Sequence, residues 1–319
     1  MCKNEVYLGI DTSCYTTSVA AIDREGRLVR EARRILQVRQ GHRGLQQSEM
    51  VFQHTRNLPL LMEEVCESSL KIIGIGVSAR PRPLKDSYMP AFLVGLGLAR
   101  SLAAASEIPL WQISHQENHL EAGLWSAQGP DAGRFLLLHA SGGTTDLLLV
   151  EKRTDATYEL VQAGGSIDLH AGQFIDRVGV ALGLQFPAGP ALEQLAATAG
   201  DCIELPVAVR QGDVSLSGPA TAALRKIDAG ADPAALAAGV QYTLAETFVR
   251  MIRNVAAQKE IGDVLLVGGV ASNAYIRRHM IEKLAKRRIR VWIPESRLSP
   301  DNAAGCAAYA FRQGERRYE

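Results

Sequence analysis

The sequence predicts an α/β protein built as two related halves that face a central cleft. Three observations carry this expectation. The 319 residues amount to about two domains at roughly 150 residues each. Residues 6–22 and residues 135–150 repeat one pattern: an apolar run, a small polar turn, a Thr-Thr pair, then a second apolar run. No low-complexity tract or long linker separates the halves, so they should pack together across a cleft, a common place for a ligand.

Taken in order, residues 6–22 read as two strands joined by a tight turn, whose Gly, Ser and Thr residues supply turn conformations. Residues 24–43 are rich in arginine. Met50, Val51, His54, Leu58, Leu61, Met62 and Val65 recur at helical spacing, which predicts a helix within 48–70. A strand should follow over 72–78, then a loop over 79–90 with three prolines, then a helix over 91–106. Leu110 to Ser114 reads as a strand leading into a helix that holds His115 and His119. The second half repeats the style. The 135–150 hairpin precedes a helix near 170–183, a Pro/Gly loop over 186–190 and an irregular stretch over 205–219. Asp232-Pro233 is an N-cap and first-turn pair that should start a long helix. Val240, Leu244, Phe248, Met251, Ile252 and Val255 form its apolar stripe. Strands over 263–267 and 290–294 and a helix over 301–311 complete the chain. These elements suggest a boundary near residue 105, with 1–105 plus 300–319 forming one domain and 106–299, including the histidine helix, the other.

Composition excludes some functions. Lys and Arg total 35 against 34 Asp and Glu, so a net charge of +1 argues against a tail-driven polyanion binder but allows a local basic face. The five cysteines are scattered without a CxxC pair, which points away from a disulfide framework and fits a reducing, cytoplasmic setting. No signal peptide or membrane span is expected, because the longest uncharged apolar stretch, 87–99, is short and contains Pro90.

Four clusters could carry chemistry. His115 and His119, at i and i+4, share one helix face and can converge on a metal ion. Asp301 is the natural third ligand, although the start of a helix also suits it to an N-cap role. Ser141-Gly142-Gly143-Thr144 offers backbone N–H groups and hydroxyls to a phosphate, and Asp11-Thr12-Ser13 in the first hairpin offers a matching set. The strand ending in Gly268-Gly269 and leading to Asn273 is suited to a nucleoside or phosphate. Asp176 could hold ribose hydroxyls or simply belong to a solvated charge pair with Arg177.

Together these motifs resemble the TsaD/Gcp family, within the superfamily of actin, sugar kinases and heat-shock ATPases. The resemblance runs through GIDTSCYTTSVA (9–20), SHQENHLEAG (114–123), SGGTTDL (141–147), DLHAGQFIDRVGVALGLQFPAGPALEQLA (168–196), SLSGPATAAL (215–224), GGVASNAYIR (268–277) and PDNAAG (300–305). It implies a duplicated actin-like, ribonuclease-H-like fold. It also implies a transferase that moves a threonylcarbamoyl group from an adenylate to the exocyclic amine of a tRNA adenosine. The resemblance places a divalent metal, iron or zinc, on His115, His119 and Asp301. It places adenylate or ATP contacts on Ser141, Gly142, Gly143, Thr144, Asp176, Gly189 and Asn273. The catalytic residue itself stays unassigned. A tRNA partner and pairing with a second copy or a related actin-like chain are expected.

The chain departs from that pattern at several points. The family's SGGHT is SGGTT here, and its DDAxGEAFDK is Asp168 to Arg177, with Leu169 and Gln173 replacing carboxylates. Its GPGL turn is replaced by Arg80-Pro81-Arg82-Pro83-Leu84-Lys85 in a longer loop. These changes mark a divergent paralogue. They leave open a nucleotide-binding partner protein without transferase activity and an ATP-dependent small-molecule kinase using Asp146 or Asp168 as base. Three basic segments, around 24–43, at Arg80, Arg82 and Lys85, and over 277–290, could contact RNA phosphates.

Overall fold

The repeated hairpin grows into two sheets of matching strand order. The computed structural model describes residues 4–13, 15–38, 45–66, 69–155 and 157–316. The chain divides into two compact units, residues 1–126 with 301–319, and residues 127–300.

In the first unit, β1 (Asn4–Asp11) and β2 (Thr16–Asp23) pair antiparallel, with Val6 opposite Asp23 and Asp11 opposite Ser18. The arginine-rich stretch supplies a third antiparallel strand, β3 (Leu28–Ile35), whose exposed arginines leave no apolar alternation to read. Arg24 pairs with Glu5 and Glu315, Arg27 with Asp23 and Glu25, and Arg33 with Glu31, so much of that positive charge is used within the unit. Arg39 and Arg43 lie outside the described residues. Helix α1 (Gln47–Val65) leads to β4 (Leu70–Arg80), which runs parallel to β1. Helix α2 (Phe92–Ser106) then returns to β5 (Leu110–Ser114), parallel to β4. The sheet order is β3-β2-β1-β4-β5. Leu8, Ile10, Val19, Ile75 and Val77 pack with Leu58 and Leu61 of α1 and Ala99 of α2. Strands buried on both faces read as the unbroken apolar runs seen in the sequence.

The histidine helix α3 (His115–Ala127) follows β5 directly. Because β5 pairs with β4, the helix begins in the first unit, and the division falls at residue 126 instead of near 105. The C-terminal helix, α9, lies in this unit too, at Ala304–Glu315, three residues later than 301. It packs closely on the sheet. A Cβ on Gly76 would stand 2.0 Å from the Cys306 carbonyl oxygen, and one on Gly9 would stand 2.2 Å from that of Ala303. Backbone cannot yield as a side-chain tip can, so Gly76→Ala should cost about 1–3 kcal/mol or more in urea unfolding. A variant as stable as the parent would contradict this packing.

The second unit opens with β6 (Arg134–Ala140), β7 (Thr145–Lys152) and β8 (Tyr158–Ser166), an antiparallel meander. Helices α4 (Ala171–Ala181) and α5 (Gly189–Ala196) follow. The stretch over 205–219 is more regular than its sequence suggests. It holds the three-residue strands β9 (Ala208–Arg210) and β10 (Asp213–Ser215) and the start of α6 (Ser217–Asp228). Such short edge strands leave too few residues for a period to show. Helix α7 (Pro233–Lys259) begins where expected: Asp232 accepts a hydrogen bond from the Ala235 N–H at 2.8 Å. Strand β11 (Asp263–Val267), helix α8 (Ala274–Ala285) and strand β12 (Arg290–Trp292) end the unit.

The second sheet runs β12-β11-β6-β7-β8-β10-β9. Its strands β8-β7-β6-β11-β12 repeat the order and the parallel and antiparallel relations of the first sheet. Duplication is therefore carried by topology, with the β9–β10 pair added at one edge. The expected stripe on α7 is core: Val240, Leu244, Phe248, Met251 and Ile252 pack with Leu136, Leu138, Leu147 and Phe174. No helix among the described residues is long and apolar enough to cross a membrane.

Candidate functional site

In the first unit, β5 delivers its chain into α3 through a reciprocal cap. The Ser114 N–H donates to Glu117 Oε2 at 2.6 Å, and the Glu117 N–H donates to Ser114 Oγ at 3.2 Å. This capping box starts the helix at His115. It sets the histidine pair, whose ring centroids lie 4.5 Å apart in an edge-to-face arrangement. Phe92 at the start of α2 meets the His115 ring edge-on at 6.2 Å.

Asp301 completes the group. Its Oδ1 lies 3.2 Å from His119 Nε2 and 3.5 Å from His115 Nε2. The competing cap role is not taken up: the N-cap of α9 is Ala303, with no side-chain cap bond, and the neighbouring Asn302 Oδ1 accepts the Ala304 N–H at 2.9 Å. Asn302 is fixed in turn, because Asn118 Nδ2 of α3 donates to its carbonyl oxygen at 2.7 Å. Gly305 allows the two helices to approach, since a Cβ there would stand 1.9 Å from the Asn118 carbonyl oxygen. Asp11, at the end of β1, stands behind His115, with Oδ2 3.7 Å from Nδ1.

Electrostatics suits this group to a cation. Burial would raise the Asp301 carboxyl, but hydrogen bonds and charge from His115 and His119 hold it far below the usual carboxylate range. Burial and the neighbouring His115 both lower His119, which keeps it neutral near pH 7. For His115, burial is outweighed by Asp301 and Asp11, which raise it. Burial pushes Asp11 up to about 6 against the pull of His115 and Ser13. Two imidazole nitrogens and a carboxylate oxygen gathered around one point form a donor set that fits zinc or iron. Ligand atoms each roughly 2.0–2.2 Å from a shared ion could stand as far apart as Asp301 Oδ1 stands from these two nitrogens.

The rest of the first hairpin is committed elsewhere. Thr12 Oγ1 donates to the Ala91 carbonyl at 2.9 Å and accepts the Gly95 N–H at 3.1 Å, while Ser13 Oγ donates to Asp11 at 2.7 Å. Asp11, Thr12 and Ser13 are all fully buried. They brace the histidine end of the first sheet.

In the second unit, the glycine-rich motifs meet at the carboxyl ends of β6 and β11. The turn after β6 is closed by the Ser141 N–H donating to the Thr144 carbonyl at 2.8 Å. Gly142 and Gly143 are exposed, and a Cβ on either would meet nothing within 4 Å. Helix α4 starts against this turn: the Gly172 N–H donates to the Ser141 carbonyl at 3.0 Å, and a Cβ on Gly172 would stand 2.6 Å from Gly142 Cα. Gly268 ends β11 at φ +96°, where a Cβ would stand 2.3 Å from the Ala140 carbonyl oxygen. Ser141, Gly142, Gly143, Thr144, Gly172 and Gly268 are thus brought together. An open turn beside a helix N-terminus has the chemistry to receive a phosphate.

The remaining expected nucleotide residues have structural partners. Asn273 Oδ1 caps α8 by accepting the Ile276 N–H at 2.9 Å, and its amide donates to Gln241 at 3.1 Å. Asp176 Oδ1 accepts the Ala188 N–H at 2.8 Å, fixing the loop that leads to Gly189 at the start of α5. Burial raises the Asp176 carboxyl against that bond.

The departures from the family pattern also find physical roles. Leu169 is buried in the core. Gln173 Oε1 accepts the His170 N–H at 3.1 Å and closes the first turn of α4, which a carboxylate oxygen could equally do. Asp168 was legible only as a base. It instead accepts from Ser215 Oγ at 2.6 Å, Ser217 Oγ at 2.5 Å and the Leu216 N–H at 2.9 Å, tying the α4 approach to α6. Burial would raise its carboxyl, but the bonds from Ser215, Ser217, Leu216 and Leu169 lower it. A lowered carboxyl adds stability above its unfolded value near ~3.9 and loses it as the pH falls below. Asp168→Asn should therefore cost about 1–2 kcal/mol at pH 7, discounted for exposure, and progressively less as the pH falls below about 4 toward the folded value. A cost unchanged with pH would contradict the charge's role.

Of the basic residues, Arg80 ends β4 opposite Ser114, and the Pro81 carbonyl accepts the Gln116 N–H at 3.2 Å. The loop holding Arg80, Arg82 and Lys85 thus springs from the end of the first unit where α3 starts. Arg277 is committed to the Ala271 carbonyl, Ser296 and Ser299.

Comparison with known proteins adds an independent finding. A family model described as TsaD, tRNA N6-adenosine threonylcarbamoyltransferase, matches residues 49–308. The tRNA N6-adenosine threonylcarbamoyltransferase of Thermus thermophilus is 33% identical over 314 residues, which cover 97% of this chain and 93% of that protein. The probable bifunctional tRNA threonylcarbamoyladenosine biosynthesis protein of Methanothermobacter thermautotrophicus is 30% identical over 311 residues, 96% of this chain. The match spans only 56% of that longer protein. Among solved structures, T. kodakarensis HypF superposes with a TM-score of 0.61 at 15% identity, covering 99% of this chain and 48% of that one. Component A of the (R)-2-hydroxyglutaryl-CoA dehydratase of Acidaminococcus fermentans gives 0.57 at 15% identity, covering 97% and 99%. At such identities these structures speak to the fold alone.

Proposed function

The chain belongs to the TsaD family of tRNA N6-adenosine threonylcarbamoyltransferases, and on that premise we propose that it transfers a carbamoyl-type group from an adenylate to an amine. The acceptor is the exocyclic amine of a tRNA adenosine, and the donor is threonylcarbamoyl-adenylate. His115, His119 and Asp301 hold one divalent metal, iron or zinc. The observation that carries the reading is the convergence of these three side chains, with Asp301 making no cap bond to α9.

Each part of the chain then has a task. Bound metal supplies Lewis-acid stabilisation of charge developing on an acyl or phosphoryl oxygen. Gly142 and Gly143 present N–H groups to the donor phosphate, with the Ser141 and Thr144 side chains beside them. Asp176 and Asn273 position Gly189 and the start of α8 around the nucleoside, and can offer it their remaining polar atoms. Arg80, Arg82 and Lys85 contact RNA phosphates. The exposed Phe52 and Leu60 of α1 and Leu93 of α2 support pairing with a second copy or a related actin-like chain. The tRNA substrate supports a cytoplasmic location.

The test is growth rescue of a strain lacking its own family enzyme. This chain should restore growth and the modified nucleoside, and His115→Ala should restore neither. Failure of the intact chain on both counts would overturn the tRNA reading. The replaced Leu169, Gln173 and Thr144 favour one second reading, a nucleotide-binding partner protein without turnover. It predicts nucleotide binding with no transfer from metal-loaded protein.

A further inference from the structure

An open groove in the second unit, away from the glycine-rich turns, has the chemistry of an anion site. It has a volume of about 490 Å³ and is lined by Gln211, Arg253, Asn254, Gln258 and Arg287, with Val255 and Ala257. That volume falls within the range of roughly 300–1,000 Å³ typical of small-ligand sites and exceeds what one phosphate group would fill. No lining residue is acidic. Arg253 and Arg287 are both exposed, and neither enters an ion pair or hydrogen bond with another described side chain.

The walls are held in place. Gln211 takes a left-handed φ of 56° in the turn between β9 and β10, and its carbonyl accepts the Asn254 Nδ2–H at 3.0 Å. Behind it, a Cβ on Gly212 would stand 2.4 Å from the Ala163 carbonyl oxygen and 2.9 Å from Val255 Cγ2, so the turn is seated tightly on β8 and α7. Arg287 leaves the end of α8 in a closed turn, where its N–H donates to the Leu284 carbonyl at 2.8 Å. Two guanidinium forks in one lining, with the amide side chains of Gln211, Asn254 and Gln258, suit the oxygens of a phosphate. Lys283, Lys286, Arg288 and Arg290 lie at or just beyond this end of α8; Lys286 pairs with Glu282 at 3.2 Å, and Arg290 lies over the Trp292 ring at 5.3 Å.

We propose that this groove binds a phosphate-bearing ligand between Arg253 and Arg287, as a site additional to the donor cradle. The phosphate comes either from a small phosphorylated molecule or from an RNA backbone.

The test follows the arginine Nε–H resonances of the full chain by NMR, assigned by their loss in Arg253→Lys and Arg287→Lys. Pyrophosphate and a short RNA stem-loop are titrated separately at constant ionic strength. Both resonances should shift saturably with at least one probe, and Arg253→Ala/Arg287→Ala should weaken binding of that probe about tenfold or more. Shifts with pyrophosphate alone support a small ligand. Shifts with RNA, and a salt dependence reduced by about one to two phosphates in the double variant, support the backbone. If neither resonance saturates with either probe, the proposal is overturned. Because the readout is local to this groove, that result leaves the transferase reading untouched.

Discussion

His119→Ala should strip the protein of its metal and its transferase activity while leaving the first sheet folded. The residue is 1% exposed, and burial together with His115 keeps its ring neutral. A neutral imidazole can ligate; a protonated one cannot. Removing one of three protein ligands should lower metal affinity about 100-fold or more, since even the residues that merely orient ligands contribute ~10–100-fold. Metal analysis after dialysis and transfer rate should fall together. Asp301→Asn should behave alike, whereas Asn302→Ala should cost about 1 kcal/mol of stability through the lost hydrogen bond from the Ala304 N–H. If His119→Ala kept its metal, the triad would not be the metal site.

Arg312→Ala should strongly destabilise the first unit. Glu121 projects from α3 with its side chain 7% exposed, and Arg312 of α9 donates to its Oε1. Burial already pushes the Glu121 carboxyl up to about 7, against the attraction of Arg312. Breaking a buried pair by removing one partner typically costs about 3–5 kcal/mol, because a charge is left uncompensated. The sign with pH follows. A carboxyl raised in the folded state stabilises at low pH, and this contribution disappears as the pH rises through its folded value. The deficit of Arg312→Ala should therefore be largest near pH 8 and shrink toward pH 5. Glu121→Gln/Arg312→Met should recover most of it. Equal deficits at both pH values would show that Arg312 acts by packing alone.

Much of this was readable from residue order, and the parts that were not have physical causes. The hairpins at β1–β2 and β6–β7 were legible because both faces are buried and the apolar runs are unbroken. Asp232-Pro233 announced α7 because caps are local chemistry. Strand β3 was hidden by its arginines, and β9 and β10 by their length. The domain boundary was misplaced because membership of α3 depends on β5 pairing with β4, a contact no local pattern carries. At the site, the His115 and His119 spacing was plain. That Asp301 takes no cap role could not be read, since α9 starts at Ala304, three residues later than the sequence suggests. Asp168 resembled a base in sequence and proved to be a clamp, because its partners Ser215 and Ser217 lie far along the chain. The Glu121–Arg312 pair was missed for the same reason.

The central claim is transfer of the threonylcarbamoyl group to tRNA, and nucleoside mass spectrometry tests it most directly. Metal-loaded protein would be incubated with threonylcarbamoyl-adenylate and unmodified tRNA, and the digested tRNA analysed for N6-threonylcarbamoyladenosine. The modified nucleoside should accumulate with the intact chain and be absent with His119→Ala. Unmodified tRNA from metal-loaded protein that demonstrably binds the adenylate would contradict the claim.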